Sequence, residues 1–132
     1  MSRRSVDANV LLRLVRGDIP DQQDQAKRLL GAPEASFHVS AATWVEVAYV
    51  LGEFYEVPRK DIATTLTLLT AIPSLSAHAN LIEATVGPWI RHPKLSFTDC
   101  LVAAEAAMVD AQPLFTFDKK LARQHPDAAA VP

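Results

Sequence analysis

The tightest constraint on this chain is its rhythm, in which short apolar runs of strand type are each followed at once by a helical pattern. Ser5-Val6-Asp7 reads as the end of a short strand. Directly behind it Val10, Leu11, Leu12, Leu14 and Val15 repeat with helical spacing until Gly17 and Pro20 stop them. Pro113-Leu-Phe-Thr-Phe117 reads as a buried strand ended by Asp118, with a short helix over 119–124 behind it. Between these two corners, strands are expected at Phe37–Ser40 and Pro73–Ser76. Helices are expected over 21–30, through the apolar stretch at 41–51, from Pro58 to about 71, from about 79 to Pro93, and over 99–109 with Thr98 as N-cap. Short strands separated by helices pair side by side through βαβ crossovers. The expected fold is therefore α/β, in three layers, with a mostly parallel central sheet flanked by helices.

A length of 132 residues suits one domain over 1–132, large enough to bury a core without disulfides or a structural metal. Cys100 is the only cysteine, which excludes an internal disulfide and a thiolate zinc cluster, and fits a reducing cytoplasm. Asp7, Asn9 and Arg13 interrupt any apolar region of a signal peptide, and no run approaches the roughly 18 apolar residues of a membrane span. A soluble cytoplasmic protein is expected. The net charge of −2 is not the footprint of a protein that holds nucleic acid by bulk charge, although two divalent cations held by its acids would reverse the sign.

Nine of the eleven residues of Ala41–Leu51 are apolar, so this helix is expected to be buried nearly all round, and Glu46 stands out in it. A buried carboxylate has to be protonated, paired, or facing a metal. Open parallel sheets bind ligands at the carboxyl ends of their strands, where Asp7 and Asp118 fall, and Asp99 in the first turn of its helix is placed to join them. Each of these three has an ordinary use as a cap or as a partner of the helix dipole. If all four acids meet, carboxylates about 5 Å apart repel by roughly 3 kcal/mol per pair at an effective dielectric near 20. Magnesium removes that strain, because it takes oxygen ligands and commonly shares them with a substrate phosphate. The pattern then points to metal-assisted phosphodiester hydrolysis, which needs no catalytic histidine.

Val-Asp7-Ala-Asn-Val-Leu-Leu-Arg, Glu46 in its apolar helix, Phe-Thr-Asp99-Cys-Leu-Val-Ala-Ala and Phe-Thr-Phe-Asp118-Lys-Lys-Leu together resemble a PIN-domain ribonuclease, most closely the VapC-like toxins of type II toxin-antitoxin systems. The resemblance runs in order along essentially the whole chain. It implies a Mg²⁺- or Mn²⁺-dependent endoribonuclease that leaves a 5′-phosphate and a 3′-hydroxyl. It also implies an RNA substrate, inhibition by a VapB-like antitoxin, and a homodimer. It makes Asp7, Glu46, Asp99 and Asp118 both the metal ligands and the catalytic acids. Thr116, two residues before Asp118, and Asn9 are candidates for orienting water or a carboxylate, beside ordinary strand and turn roles.

Three features depart from the family pattern. Arg3-Arg-Ser5 stands where aliphatic residues are usual, so the first strand is short. Asp110 replaces a helix-ending glycine, and Cys100 takes a small apolar packing position. His38, His78, His92 and His125 show no paired metal spacing, and solvated or cap positions are expected for them. Arg13, Arg16, Lys119, Lys120 and Arg123 are expected on solvated helix faces or against RNA phosphates. Trp44, Tyr49, Phe54 and Tyr55 are expected in the core or an interface. The alternatives are a PIN-fold binding module that takes a basic partner segment, and a solitary RNA-processing nuclease without an antitoxin. A phosphotransfer enzyme is the less suited rival, because a phosphatase wants Asp-x-Asp where this chain has Asp7-Ala-Asn9, and a receiver domain wants a paired acidic cluster near its start.

Overall fold

Arg3, Arg4 and Ser5 give the first strand no apolar face. In the computed structural model, which describes residues 3–132, strand β1 is accordingly only Arg4–Ser5. The chain forms two units, one up to Ala79 and one from Asn80. In the first, β1 pairs in parallel with β2 (Phe37–His38), Arg4 opposite Phe37 and Ser5 opposite His38. Helix α1 (Ala8–Arg16) starts on the Asp7 cap and ends at Gly17, whose φ of 66° is the left-handed conformation that glycine adopts freely. Helix α2 (Pro20–Leu30) opens on Pro20 and carries Asp21 in its first turn and Lys27 and Arg28 in its last, matching the helix dipole.

Helix α3 (Ala41–Glu53) begins on Ser40, whose hydroxyl accepts from the Thr43 N–H at 3.1 Å, and α4 (Arg59–Thr70) follows Pro58. α1 packs against both α2 and α3, and α3 against α4. Their shared core holds Leu11, Leu30, Trp44, Val47, Leu51 and Leu66, each fully or almost fully buried. A leucine buried this far contributes about 1.5–3 kcal/mol relative to an exposed one. The strand expected at Pro73–Ser76 is instead part of a 3₁₀ helix, Pro73–His78. Pro73 starts it, the Ser76 hydroxyl donates to the Pro73 carbonyl, and the Ser74 hydroxyl donates to Leu30 O at 2.7 Å, so the serines satisfy the backbone without a neighbouring strand.

The second unit contains α5 (Ala79–Arg91) from its second residue on, α6 (Phe97–Met108), β3 (Leu114–Thr116), α7 (Lys119–Gln124) and β4 (Ala128–Ala130). α5 continues through Gly87 and Pro88. α6 starts earlier than expected, because its N-cap is Ser96 and not Thr98. The Ser96 hydroxyl accepts from the Asp99 N–H at 3.0 Å. β3 and β4 pair in parallel, Thr116 opposite Ala130, and the alanine run 128–130 is a strand that lacks every sequence signal of one. β3 is not buried as expected: Phe115 is exposed and its two neighbours in the strand are half-buried. Asp110 does take the left-handed conformation, at φ 56°. Both strand pairs are parallel, and the fold is α/β. No single helix among the described residues is long and apolar enough to cross a membrane.

Candidate active site

Asp7 lies two residues past β1 and is the N-cap of α1, its Oδ1 accepting from the Val10 N–H at 3.2 Å. Its other carboxylate oxygen has no hydrogen-bond partner among the described residues. Glu46 comes from the second turn of α3 and meets Asp7 across a cavity of about 490 Å³, which Asn9, Leu12, Arg13 and Thr43 also line. The burial expected of Glu46 is corrected here, since its side chain is exposed. α3 buries a single stripe, Trp44, Val47, Ala48 and Leu51, and leaves Tyr49 at 60% exposure. The helix is amphipathic in its packing although not in its composition. Glu46 falls outside the stripe and, among the described residues, forms no hydrogen bond or ion pair.

Beside these acids is a cluster that includes Arg13, Arg16, Phe54 and Tyr55, expected on solvated helix faces, against RNA phosphates, in the core or at an interface. The Tyr55 hydroxyl donates to Asp18 Oδ2 at 2.6 Å. This bond holds the Asp18 carboxyl below its ordinary value and the phenol above its own, with Arg13 and Arg16 also favouring the charged carboxylate. Arg13 donates from Nε to Gln22 at 2.9 Å and brings Nη1 within 3.6 Å of Asp18, while the Arg16 guanidinium lies 4.5 Å over the Tyr55 ring. Phe54, expected in the core or an interface, is 74% exposed and so is not a core residue. Arg13, Phe54 and Tyr55 all line the cavity that holds Asp7 and Glu46. The available signal was Phe-Tyr at the end of a helix whose first half carries a candidate acid.

In the second unit, Asp99 is the third residue of α6 and is half-buried, and Asp118 is the N-cap of α7. Oδ1 of Asp118 accepts from the Lys120 and Leu121 N–H groups at 2.9 and 3.2 Å, and Thr116 Oγ1 accepts from the Asp118 N–H at 2.9 Å. Thr116 thus fixes the backbone of the acid that follows it. α6 packs on β3 across the short connection 109–113. Cys100 is buried, as a packing position requires.

Two of the histidines are not solvated. His78 Nε2 accepts from the Val39 N–H at 3.1 Å and stands 3.2 Å from Phe37 O, and His125 Nδ1 accepts from the Asp127 N–H at 3.1 Å. Burial pushes both imidazoles below their ordinary value. His78 is not among the residues that line the Asp7–Glu46 cavity. Within either unit, among the described residues, no group of three or more His, Cys, Asp or Glu comes together to hold a metal. Asp7 and Glu46 instead offer carboxylate oxygens to one cavity, the hard donor type and the number that Mg²⁺ commonly takes beside water and a substrate phosphate, while Asp99 and Asp118 bring the same donor type from the starts of α6 and α7. By donor chemistry the residues fit that ion.

The family profile described as PIN domain matches residues 5–125. No curated protein and no solved structure shows a match to the chain.

Proposed function

Because the chain belongs to the PIN domain family, whose members are typically metal-dependent nucleases, we propose that it is a Mg²⁺- or Mn²⁺-dependent endoribonuclease whose site is formed by Asp7, Glu46, Asp99 and Asp118. The observation that carries this reading is the cavity shared by Asp7 and Glu46, two exposed acids brought together from residues 39 positions apart in sequence. The family match runs across the boundary at Ala79, which supports treating the two units as one domain over 1–132. All four acids would hold the ion. When bound it lowers the pKa of an attacking water and neutralises charge on the phosphate and leaving oxygen.

The chain's own residues set the geometry for that chemistry. The Val10 N–H ties one oxygen of Asp7 and leaves the other for the ion. Thr116 and the first turn of α7 hold Asp118 in the same way, and Asn9 supplies a neutral donor and acceptor beside Asp7. Water attack leaves a 5′-phosphate and a 3′-hydroxyl.

The finer reading is a VapC-like toxin acting in the cytoplasm as a homodimer. A VapB-like antitoxin would inhibit it with a basic tail that sets an Arg or Lys among the carboxylates. The motifs around the four acids support it, as does the attraction of such a cluster for a guanidinium. A short upstream reading frame encoding a DNA-binding segment and a basic, apolar tail is the genomic expectation. The biochemical test incubates the chain with RNA in Mg²⁺, in Mn²⁺ and in chelator. The expected result is metal-dependent fragments with 5′-phosphate ends; fragments produced equally in chelator would refute it.

A further inference from the structure

We propose that Arg13 and Phe54 form a nucleotide subsite in the Asp7–Glu46 cavity, which stacks one unpaired RNA base on Phe54 and takes a neighbouring phosphate on Arg13. This deepens the ribonuclease reading and rests on it.

The cavity contains a cation beside two acids, yet among the described residues Arg13 forms no ion pair with Asp7 or Glu46. Gln22 and Asp18 anchor it instead. A guanidinium has five N–H donors in a rigid fork, so an Arg held at Nε and Nη1 keeps others for an anion. Two aromatic rings follow at the end of α3, and they differ in what covers them. Tyr55 is pinned by Asp18 and covered by Arg16. Phe54 is held by Tyr55 edge to face, with centroids 4.8 Å apart at 83°, and is otherwise open to solvent.

An exposed ring beside an anchored cation is the pairing by which single-stranded nucleic acid is held, base on ring and backbone on charge. An apolar peptide would use the ring but leave the anchored cation unanswered. The cavity's volume lies within the roughly 300–1,000 Å³ of small-ligand clefts, and the two acids line the same cavity as the ring and the cation.

The test is the affinity of the full chain for a labelled single-stranded RNA pentamer, read by fluorescence anisotropy in chelator so that it does not depend on cleavage. Phe54→Ala should weaken binding by about tenfold, the effect of one lost stack, whereas Phe54→Trp should retain it. Phe54→Leu should behave like Ala, because leucine keeps apolar bulk but has no π-face. Arg13→Gln should flatten the dependence of log Kd on log salt by about 0.7, and Arg13→Lys should restore it. Wild-type affinity in Phe54→Ala would overturn the subsite, and so would full affinity in Phe54→Leu, because RNA would then be held without a stacked base. An unchanged salt slope in Arg13→Gln would overturn the phosphate contact. A chain that binds RNA through Phe54 but never cuts it with Mg²⁺ or Mn²⁺ would refute the ribonuclease reading while supporting the subsite. A chain that cuts RNA with the same KM and affinity in wild type and Phe54→Ala would refute the subsite alone.

Discussion

Asp7 is given two tasks, and three substitutions separate them. As the N-cap of α1 it accepts the Val10 N–H at 3.2 Å, and as the proposed metal ligand it would offer a charged oxygen to the cavity that it lines. Asn and Ser cap about as well as Asp, whereas Ala loses about 1 kcal/mol at such a position. The exposed carboxylate leaves no buried partner unsatisfied, so no larger penalty applies. Asp7→Asn and Asp7→Ser also lose a charge that favours the helix N-terminus by a few tenths of a kcal/mol, and they remove the repulsion from Glu46, so the two effects offset. Thermal unfolding should therefore place Asn and Ser near wild type and Ala about 3–5 °C lower, the shift that about 1 kcal/mol produces in a chain of this length. RNA cleavage should fall at least about a hundredfold in all three, since each removes the charged ligand. An Ala variant as stable as wild type would refute the cap, and an active Asn variant would refute the ligand role.

At Gly17 (φ 66°) a Cβ would meet the Gln23 amide nitrogen at 2.8 Å and displace its bond to Leu14 O. Gly17→Ala should therefore cost about 2 kcal/mol by urea denaturation, from left-handed strain and one lost hydrogen bond. His78, near His38 and Arg3, and His125, near Asp127, His92 and Arg91, both titrate below the ordinary 6.5 because they are buried. The unfolded chain then binds protons that the native chain does not. The contribution of these residues is complete above about 6.5 and is lost as pH falls toward the lowered native values. Denaturation at pH 7.5 and 5.5 should show the loss, and His78→Gln with His125→Gln should flatten it. Millimolar Mg²⁺ or Mn²⁺ should raise the melting temperature of the wild type and much less that of an Asp7→Asn, Asp99→Asn double variant; equal shifts would place the ion elsewhere.

Where backbone chemistry decides a local structure, the sequence was enough to find it. Gly17 ends α1, Pro58 opens α4, Asp110 turns left-handed, and Asp7 and Asp118 each cap the helix behind a strand. What escaped depends on tertiary contact. Ser96, not Thr98, is the α6 cap, extended at φ −80° and ψ 161° with its hydroxyl on the Asp99 N–H. The 128–130 alanines become a strand only because β3 offers them a ladder. Glu46 was singled out for a burial that it does not have; the single packed stripe of α3 puts it on the cavity wall beside Asp7 instead. Phe54 and Arg13 were invisible as a pair, since 41 residues separate them and only the packing of α1 on α3 brings them to one cavity.

The most direct test of the central claim is the rate of metal-dependent RNA cleavage by wild type, Asp7→Asn from one unit, and Asp99→Asn from the other, on one structured RNA in Mg²⁺, with circular dichroism on the same samples. The account predicts folded variants that are each at least about a hundredfold slower than wild type. Full activity in folded Asp99→Asn would contradict it, because the acids of the two units would then not serve one reaction.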